Sequence, residues 1–314
     1  MSLPQKALTA LGLLARLDFT TLRRQWIFNQ RQRILRRQGL TPFVHRAAGY
    51  PLVCFPDHPD SVVQFIEGGD DPWELDLLRR WLEPGDSFID AGANLGLFAH
   101  MVAGHFRGEV QVLALEASPD LVARMTVAAG LLGEKNLQPV QVAVGAESGE
   151  VMFHLARPGE TTVSQSMKIE ATGTAGYEQH VLPMRTLAAL AGQYIPSAPP
   201  AAVKVDIEGA EPLALRGAPS AWLESGGPLW LVEINLPVLA RMGFRPEDVI
   251  RPFSPTAFEL WLLPKYPPVG QPPARIRQFQ VDEKFSDAAF YNLIAVPTDP
   301  RVTARRARIR SFFP

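Results

Sequence analysis

Ser87-Phe88-Ile89-Asp90-Ala91-Gly92-Ala93-Asn94-Leu95-Gly96 runs directly into the apolar stretch Leu97 to Val102. An apolar run of strand length, two glycines and an apolar run of helix length predict strand, tight turn and helix in that order. Gly92 and Gly96 lack a Cβ, so the backbone can turn sharply and a ligand can approach it, while the helix start offers free N–H groups. Asp90, at the carboxyl end of the strand, can accept hydrogen bonds from a cationic or hydroxyl-bearing cofactor. The G-x-x-x-G spacing departs from the G-x-G-x-x-G of dinucleotide enzymes, which disfavours a dehydrogenase, and no Gly-Lys-Ser/Thr follows to make a phosphate loop. A plain connecting turn would use the same glycines, so the stretch needs a second element.

Gln111-Val112-Leu113-Ala114-Leu115-Glu116 supplies it. It reads as the next buried strand and ends in a carboxylate about 20 residues after Gly96, where a doubly wound sheet sets an acid against ribose hydroxyls. Ser118-Pro119-Asp120 opens another helix, with Ser118 at the N-cap and Pro119 at the first helical position.

Further strands are expected over Gln138–Val144, Ala202–Asp206, Leu229–Glu233, Phe258–Leu263 and Phe290–Val296, with helices at 95–105, 118–132, 210–217 and 235–243. About 57 residues separate the third and fourth strands, far more than one crossover helix requires. Val151–Leu155, Val163–Ile169 and Val181–Leu187 read as short strands there, around a Gly/Thr-rich loop at 171–176. This insertion, about 145–200, is expected to form a β-rich cover over the cofactor edge.

The chain of 314 residues is 46% hydrophobic and 20% charged, which suits a large α/β domain. Cys54 is the single cysteine, so no internal disulfide can form and a reducing, cytoplasmic setting fits. Ala7–Ala15 is too short to span a bilayer and is followed by Arg16 and Asp18. The net charge of −1 conceals +8 over residues 1–46, +5 over 301–314 and −14 between them. Residues 1–46 read as a basic amphipathic extension, 47–300 as the main domain and 301–314 as a basic, solvated tail. Thr20–Arg37 interleaves arginines with Leu22, Trp26, Ile27, Phe28, Ile34 and Leu35, a pattern open to peripheral membrane contact through residues 1–40, to docking on a second subunit, or to packing on its own domain. No nucleic-acid module surrounds either basic cluster, so no nucleic acid partner is expected.

The order Glu83-Pro84-Gly85-Asp86, Asp90 to Gly96, Leu115-Glu116-Ala117-Ser118-Pro119, Ala143-Val144-Gly145, Lys204-Val205-Asp206-Ile207-Glu208-Gly209-Ala210-Glu211 and Gly217-Ala218 resembles the FkbM-type family of S-adenosylmethionine-dependent methyltransferases. The resemblance runs from about Trp73 to Val296, and the Lys-x-Asp-x-Glu-Gly-x-Glu block is its most specific piece. Small departures are Asp90-Ala91-Gly92 for Asp-Val-Gly, Leu115-Glu116-Ala117 for Phe-Glu-Pro, and Ala146 where the family often has Asp. The resemblance implies a Rossmann-like class I methyltransferase sheet of seven strands, the last antiparallel, to which the pattern of this chain adds the β-rich insertion between the third and fourth strands and an N-terminal helical extension. It further implies S-adenosylmethionine as cofactor and O-methylation of a sugar, glycolipid or glycosylated natural product. By the same resemblance Asp90, Gly92, Asn94 and Gly96 would line the methionine portion, Glu116 would hold the ribose, and Ala143 would lie in the cofactor site.

The remaining need is a group that receives the acceptor's proton. Asp206, Glu208 and Glu211 are the candidate acids, and Lys204, on the same strand face as Asp206, would keep them ionised or stabilise an alkoxide. Glu208 and Glu211 would also favour the start of the helix from Ala210 without any catalytic role. Glu233 and Asn235 are candidate acceptor-binding residues, though Asn235 would equally cap the next helix. Asp206, Glu233 and Asn235 could together ligate a divalent cation such as Mg²⁺, but the spacing shows no dedicated ligand set and no metal is expected. The six histidines lack metal-pair spacing; His154 and His180 fall in the insertion, where either would serve as a base or a structural residue. The competing expectation is a non-catalytic methyltransferase-fold subunit recruited to a membrane or partner protein.

Overall fold

The computed structural model describes residues 19–47, 49–67, 72–156, 177–265, 275–280, 285 and 288–314. A helix, α1 (Phe19–Gln38), precedes a hairpin of β1 (Phe43–Ala47) and β2 (Tyr50–Cys54) and the helices α2 (Pro59–Glu67) and α3 (Pro72–Trp81). The hairpin joins Ala47 to Tyr50, so the expected boundary after residue 46 falls inside it. Then come β3 (Ser87–Ala91), α4 (Leu97–Phe106), β4 (Gln111–Glu116), α5 (Pro119–Leu132), β5 (Leu137–Gln141), β6 (Ala143–Val144), β7 (Gly149–Ala156) and β8 (Tyr177–Arg185). The second half runs α6 (Leu187–Tyr194), β9 (Ala202–Val205), α7 (Glu211–Arg216), α8 (Ser220–Glu224), β10 (Leu229–Asn235), α9 (Leu236–Arg241), α10 (Pro246–Ile250), β11 (Phe258–Lys265), β12 (Arg277–Gln278), β13 (Phe290–Pro297) and α11 (Thr303–Ile309).

The main sheet has the order β12-β11-β13-β10-β9-β3-β4-β5. The strands from β10 to β5 are mutually parallel, and β13 enters antiparallel between β10 and β11. These are the seven expected strands with a reversed last strand, plus the two-residue edge strand β12. Successive residues point to opposite faces, and the core divides accordingly. Phe88, Val112, Ala114, Leu231 and Ile294 pack on one side with α3, α4 and α11. Ile89, Leu113, Leu115, Val203, Val205 and Val232 pack on the other with α6, α7, α8 and α9. Buried on both faces, the parallel strands are continuous apolar runs.

Three expectations are corrected. Gln138–Val144 is not one strand: β5 ends at Gln141, Val142 donates to the Glu116 carbonyl, and Ala143–Val144 joins a separate three-stranded sheet, β6-β8-β7. The strand expected to reach Leu187 stops at Arg185, because Thr186 accepts from the Ala189 N–H at 3.1 Å and Leu187, Leu190 and Ala191 bury one face of a helix. The expected strand Val163–Ile169 and the loop at 171–176 lie outside the described residues.

The third concerns residues 301–314, which are docked rather than solvated. Ile309 and Phe313, four residues apart, are buried in the core, and Phe313 lies 4.7 Å from the Trp261 ring. Arg305 grips Asp86 with two hydrogen bonds of 2.6 and 2.9 Å and pairs with Glu83 at 2.9 Å. At the other end of the chain, Arg31 of α1 donates to the Ile66 carbonyl and stacks on Phe65 of α2, while Phe28 and Ile34 face solvent. No helix among the described residues is long and apolar enough to cross a membrane.

Candidate active site

The turn after β3 is built from backbone contacts. Gly92 and Ala93 donate to the Leu115 carbonyl, and Asp206 donates to the Ala91 carbonyl, which ties the turn to both neighbouring strands. Gly92, Asn94 and Gly96 all have positive φ, at 79°, 52° and 79°. A Cβ on Gly92 would fall 1.8 Å from the Asp206 carbonyl oxygen, so only glycine fits. Glu116 closes the turn from the side: its Oε2 accepts from the Asn94 N–H and its Oε1 from the Ser118 N–H, both at 2.9 Å. Burial pushes the Glu116 carboxyl up from its ordinary range, opposed by these backbone donors. Each carboxylate oxygen retains a second lone pair for a hydroxyl. The Ser118 side chain makes no cap; Pro119 starts α5 as expected.

Across the carboxyl ends of the strands, register and alternation place Asp90, Lys204, Asp206, Glu233, Asn292 and Lys265 on the face shared with α3 and α4. Asp90 is 1% exposed, and neither of its oxygens has a hydrogen-bond partner among the described residues. Burial raises its pKa, with Lys204 Nζ 3.7 Å away in opposition. Lys204 also donates to Asp206 Oδ2 at 3.1 Å and sits 5.0 Å from the centre of the Phe98 ring. Burial alone would lower the Lys204 pKa, but Asp206 and Asp90 hold it above its usual range. Asp206 would be raised by burial, yet the Lys204 and Lys265 ammoniums outweigh that and keep it low, while its side chain remains about one-third exposed, at 32%. Glu233, on the adjacent strand, is pushed well up by burial and then by Asp206, Glu208 and Glu211.

Glu208 and Glu211 differ from these. Glu208 has a strained φ of 55° and a pKa pushed up to about 8 by burial and by Asp206 and Glu211. Glu211 is fully buried; its Oε1 accepts from the Ile207 and Gly209 N–H groups, and burial raises it to about 7. Glu211 thus ties down the loop before α7. Asn235 accepts from the Val238 N–H at 3.3 Å, which is the capping geometry, and it does not line the cleft beside Glu233. Ala143 is buried in β6 beside Met184. His154 is buried and His180 is exposed near Glu178 at 3.7 Å; neither lines the cleft. Among the described residues no group of three or more His, Cys, Asp or Glu is arranged to hold a metal ion.

The cleft itself is lined by Lys204, Asp206 and Glu233 together with Glu74, Phe98, Lys265 and Asn292. Reasoning from sequence missed the last four. Glu74 among Trp73, Leu75, Leu77 and Leu78, and Asn292 inside Tyr291-Asn292-Leu293-Ile294, are polar residues interrupting apolar runs, a signal that could have found them.

A reversed-strand α/β sheet with a glycine turn, a strand-end acid and a polar cleft at the carboxyl ends of its strands is the architecture of the class I methyltransferase fold. A model of the methyltransferase FkbM domain matches residues 90–250, and the chain belongs to that family. Solved structures similar to the chain include methyltransferase FkbM from Methylobacillus flagellatus KT, at 14% identity over 67% of this chain and 43% of that one, TM-score 0.40. An rRNA methylase from Streptococcus thermophilus is 13% identical over 71% and 93%, TM-score 0.39, and the M. jannaschii tRNA m1G37 methyltransferase 12% over 82% and 56%, TM-score 0.38. This chain therefore spans less than half the length of the Methylobacillus protein. No curated protein matches the sequence.

The residues present fit the cofactor. Asp90 offers two buried oxygens without hydrogen-bond partners to a cationic group, and Gly92 leaves no side chain in the turn.

Proposed function

We propose that this chain transfers a methyl group to a hydroxyl of a sugar, glycolipid or glycosylated natural product, with Asp206 as the proton acceptor. The observation that carries the reading is the Asp206 carboxylate in the cleft wall, which accepts from Lys204 at 3.1 Å while the same ammonium stands 3.7 Å from Asp90 at the glycine turn. S-adenosylmethionine, when bound, supplies an electrophilic methyl group. Asp90 would hold the cationic methionine end, Asn94 and Gly96 would shape the turn around it, and Glu116 would accept from the ribose hydroxyls. Asp206, kept below the usual carboxylate range, is deprotonated at neutral pH and can take the proton of a hydroxyl that lies against it. Lys204 would stabilise the developing alkoxide, and Glu233, whose carboxyl burial and the neighbouring acids push upward, would lie beside the acceptor.

The test is release of S-adenosylhomocysteine over a panel of sugars, glycolipids and hydroxylated metabolites. Asp206→Asn is expected to lose turnover while calorimetry still shows cofactor binding. Turnover retained in that variant would remove Asp206 from the chemistry.

A further inference from the structure

The stretch Leu97-Phe98-Ala99-His100-Met101-Val102 of α4 is apolar except for His100. The His100 side chain is 2% exposed and that of Glu134, two residues past α5, 5%. His100 Nδ1 and Glu134 Oε2 are hydrogen-bonded at 2.6 Å, and the Glu134 N–H donates to the Ala129 carbonyl, so the pair ties α4 to the end of α5. His100 Nε2 and Glu134 Oε1 are buried with no hydrogen-bond partner among the described residues. Packing alone gives no reason for such a pair. Exchanging both partners of a buried hydrogen bond for apolar groups of like shape is close to neutral for stability, whereas an unpaired buried polar atom is costly.

Its position supplies the reason. Gly96 closes the glycine turn and precedes α4; its N–H donates to the Ala93 carbonyl at 2.8 Å, and its carbonyl accepts from the His100 N–H at 2.7 Å. Behind Gly96 stands the edge of the His100 ring. A Cβ added to Gly96 would fall 2.9 Å from His100 Cδ2 and 3.0 Å from both His100 Nε2 and Met125 Cγ. The ring backs the turn, and the bond to Glu134 fixes the rotation of the ring. From the front the turn is tied by Gly92 and Ala93 to Leu115 and by Asn94 to Glu116. Support from behind completes the hold on Asn94 and Gly96.

We propose that His100 and Glu134 are positioning residues for the cofactor: the hydrogen-bonded ring sets the glycine turn from behind without touching S-adenosylmethionine. This role rests on the placement of S-adenosylmethionine at the turn and is independent of the acceptor hydroxyl.

The test uses the full chain, thermal unfolding without ligand and titration calorimetry with S-adenosylhomocysteine. In the double variant His100→Leu/Glu134→Met both polar groups give way to apolar ones of similar size. Its melting temperature is expected to hold or rise while its affinity falls about tenfold or more. Glu134→Gln, whose amide oxygen still accepts from the ring, is expected to stay within about threefold of the wild type. His100→Asn keeps an amide for Glu134 but lacks the ring edge; it should bind as weakly as the double variant, and it provides the reading if the double variant does not fold. A purely structural pair shows the reverse, with the melting temperature moved and the affinity of every folded variant unchanged, and that result overturns the positioning role. A wild type that does not bind S-adenosylhomocysteine overturns the placement of the cofactor beneath it.

Discussion

Lys204 Nζ lies 3.7 Å from Asp90 Oδ1, and Asp90 is the next residue over in the β3–β9 register. The same ammonium holds Asp206, so one cation serves the glycine turn and the wall of the cleft. Breaking a buried ion pair from one side costs about 3–5 kcal/mol, because the other charge stays buried. Lys204→Met should therefore lower the melting temperature by roughly 10 °C. A calorimetric shift of less than about 2 °C would show that Asp90 is satisfied without it.

Gly92→Ala is expected to abolish folding or cofactor binding, since the added carbon would meet the Asp206 carbonyl oxygen at 1.8 Å. Gly108 has a similar positive φ of 95° with nothing within 4 Å of the added carbon. Gly108→Ala should cost only about 1–2 kcal/mol. Urea denaturation of the two variants separates close approach from backbone preference.

Glu116→Ala removes an acid that the proposed function places on the ribose. Loss of hydrogen bonds to a charged group, at about 1.5–3 kcal/mol each, predicts S-adenosylhomocysteine affinity at least 100-fold weaker. Titration calorimetry reads it directly, and wild-type affinity in the variant would return Glu116 to a purely structural role.

Stability should fall with alkali. Glu208 and Glu211 are raised to about 8 and about 7, so the folded chain holds protons that the unfolded chain has released. Their contribution is fully present below the ordinary glutamate range and is lost as pH rises through 7 and 8. The melting temperature is expected to decline from pH 5 to 8, and Glu208→Gln should flatten that decline; an equal slope in the variant counts against the assignment.

Ile309→Ala tests the docked end of the chain. The side chain is 1% exposed, and truncating a buried isoleucine costs about 2–5 kcal/mol. A change near zero in chemical denaturation would mean that residues 303–313 contribute nothing to the core.

The strands that carry the turn were legible because burial on both faces makes them unbroken apolar runs, and the two acids at their ends stand out against those runs. Asp206 and Glu233 were legible as a pair because parallel strands of equal phase place them side by side. Leu187–Tyr194 was not, since a short apolar run after a strand carries either period and only the Thr186 cap decides. Residues 305–310 misled because arginines dominate them, while the acids that receive Arg305 and Arg308, Asp86 and Glu83, lie more than 200 residues away. The Glu74–Asn292 contact spans 218 residues and follows no local rule.

Helix α3, which carries Glu74, ends in carbonyls that no residue of its own satisfies: Arg308 takes the Arg80 carbonyl at 2.8 Å, and Arg305 and Arg308 reach that of Trp81. One side of the cleft is thus fastened by a strap from the far end of the polypeptide, whereas the glycine turn is anchored within β3, β4 and β9. The two halves should come apart in sequence under mild heating or limited proteolysis, with methyl transfer failing first and cofactor retention outlasting it.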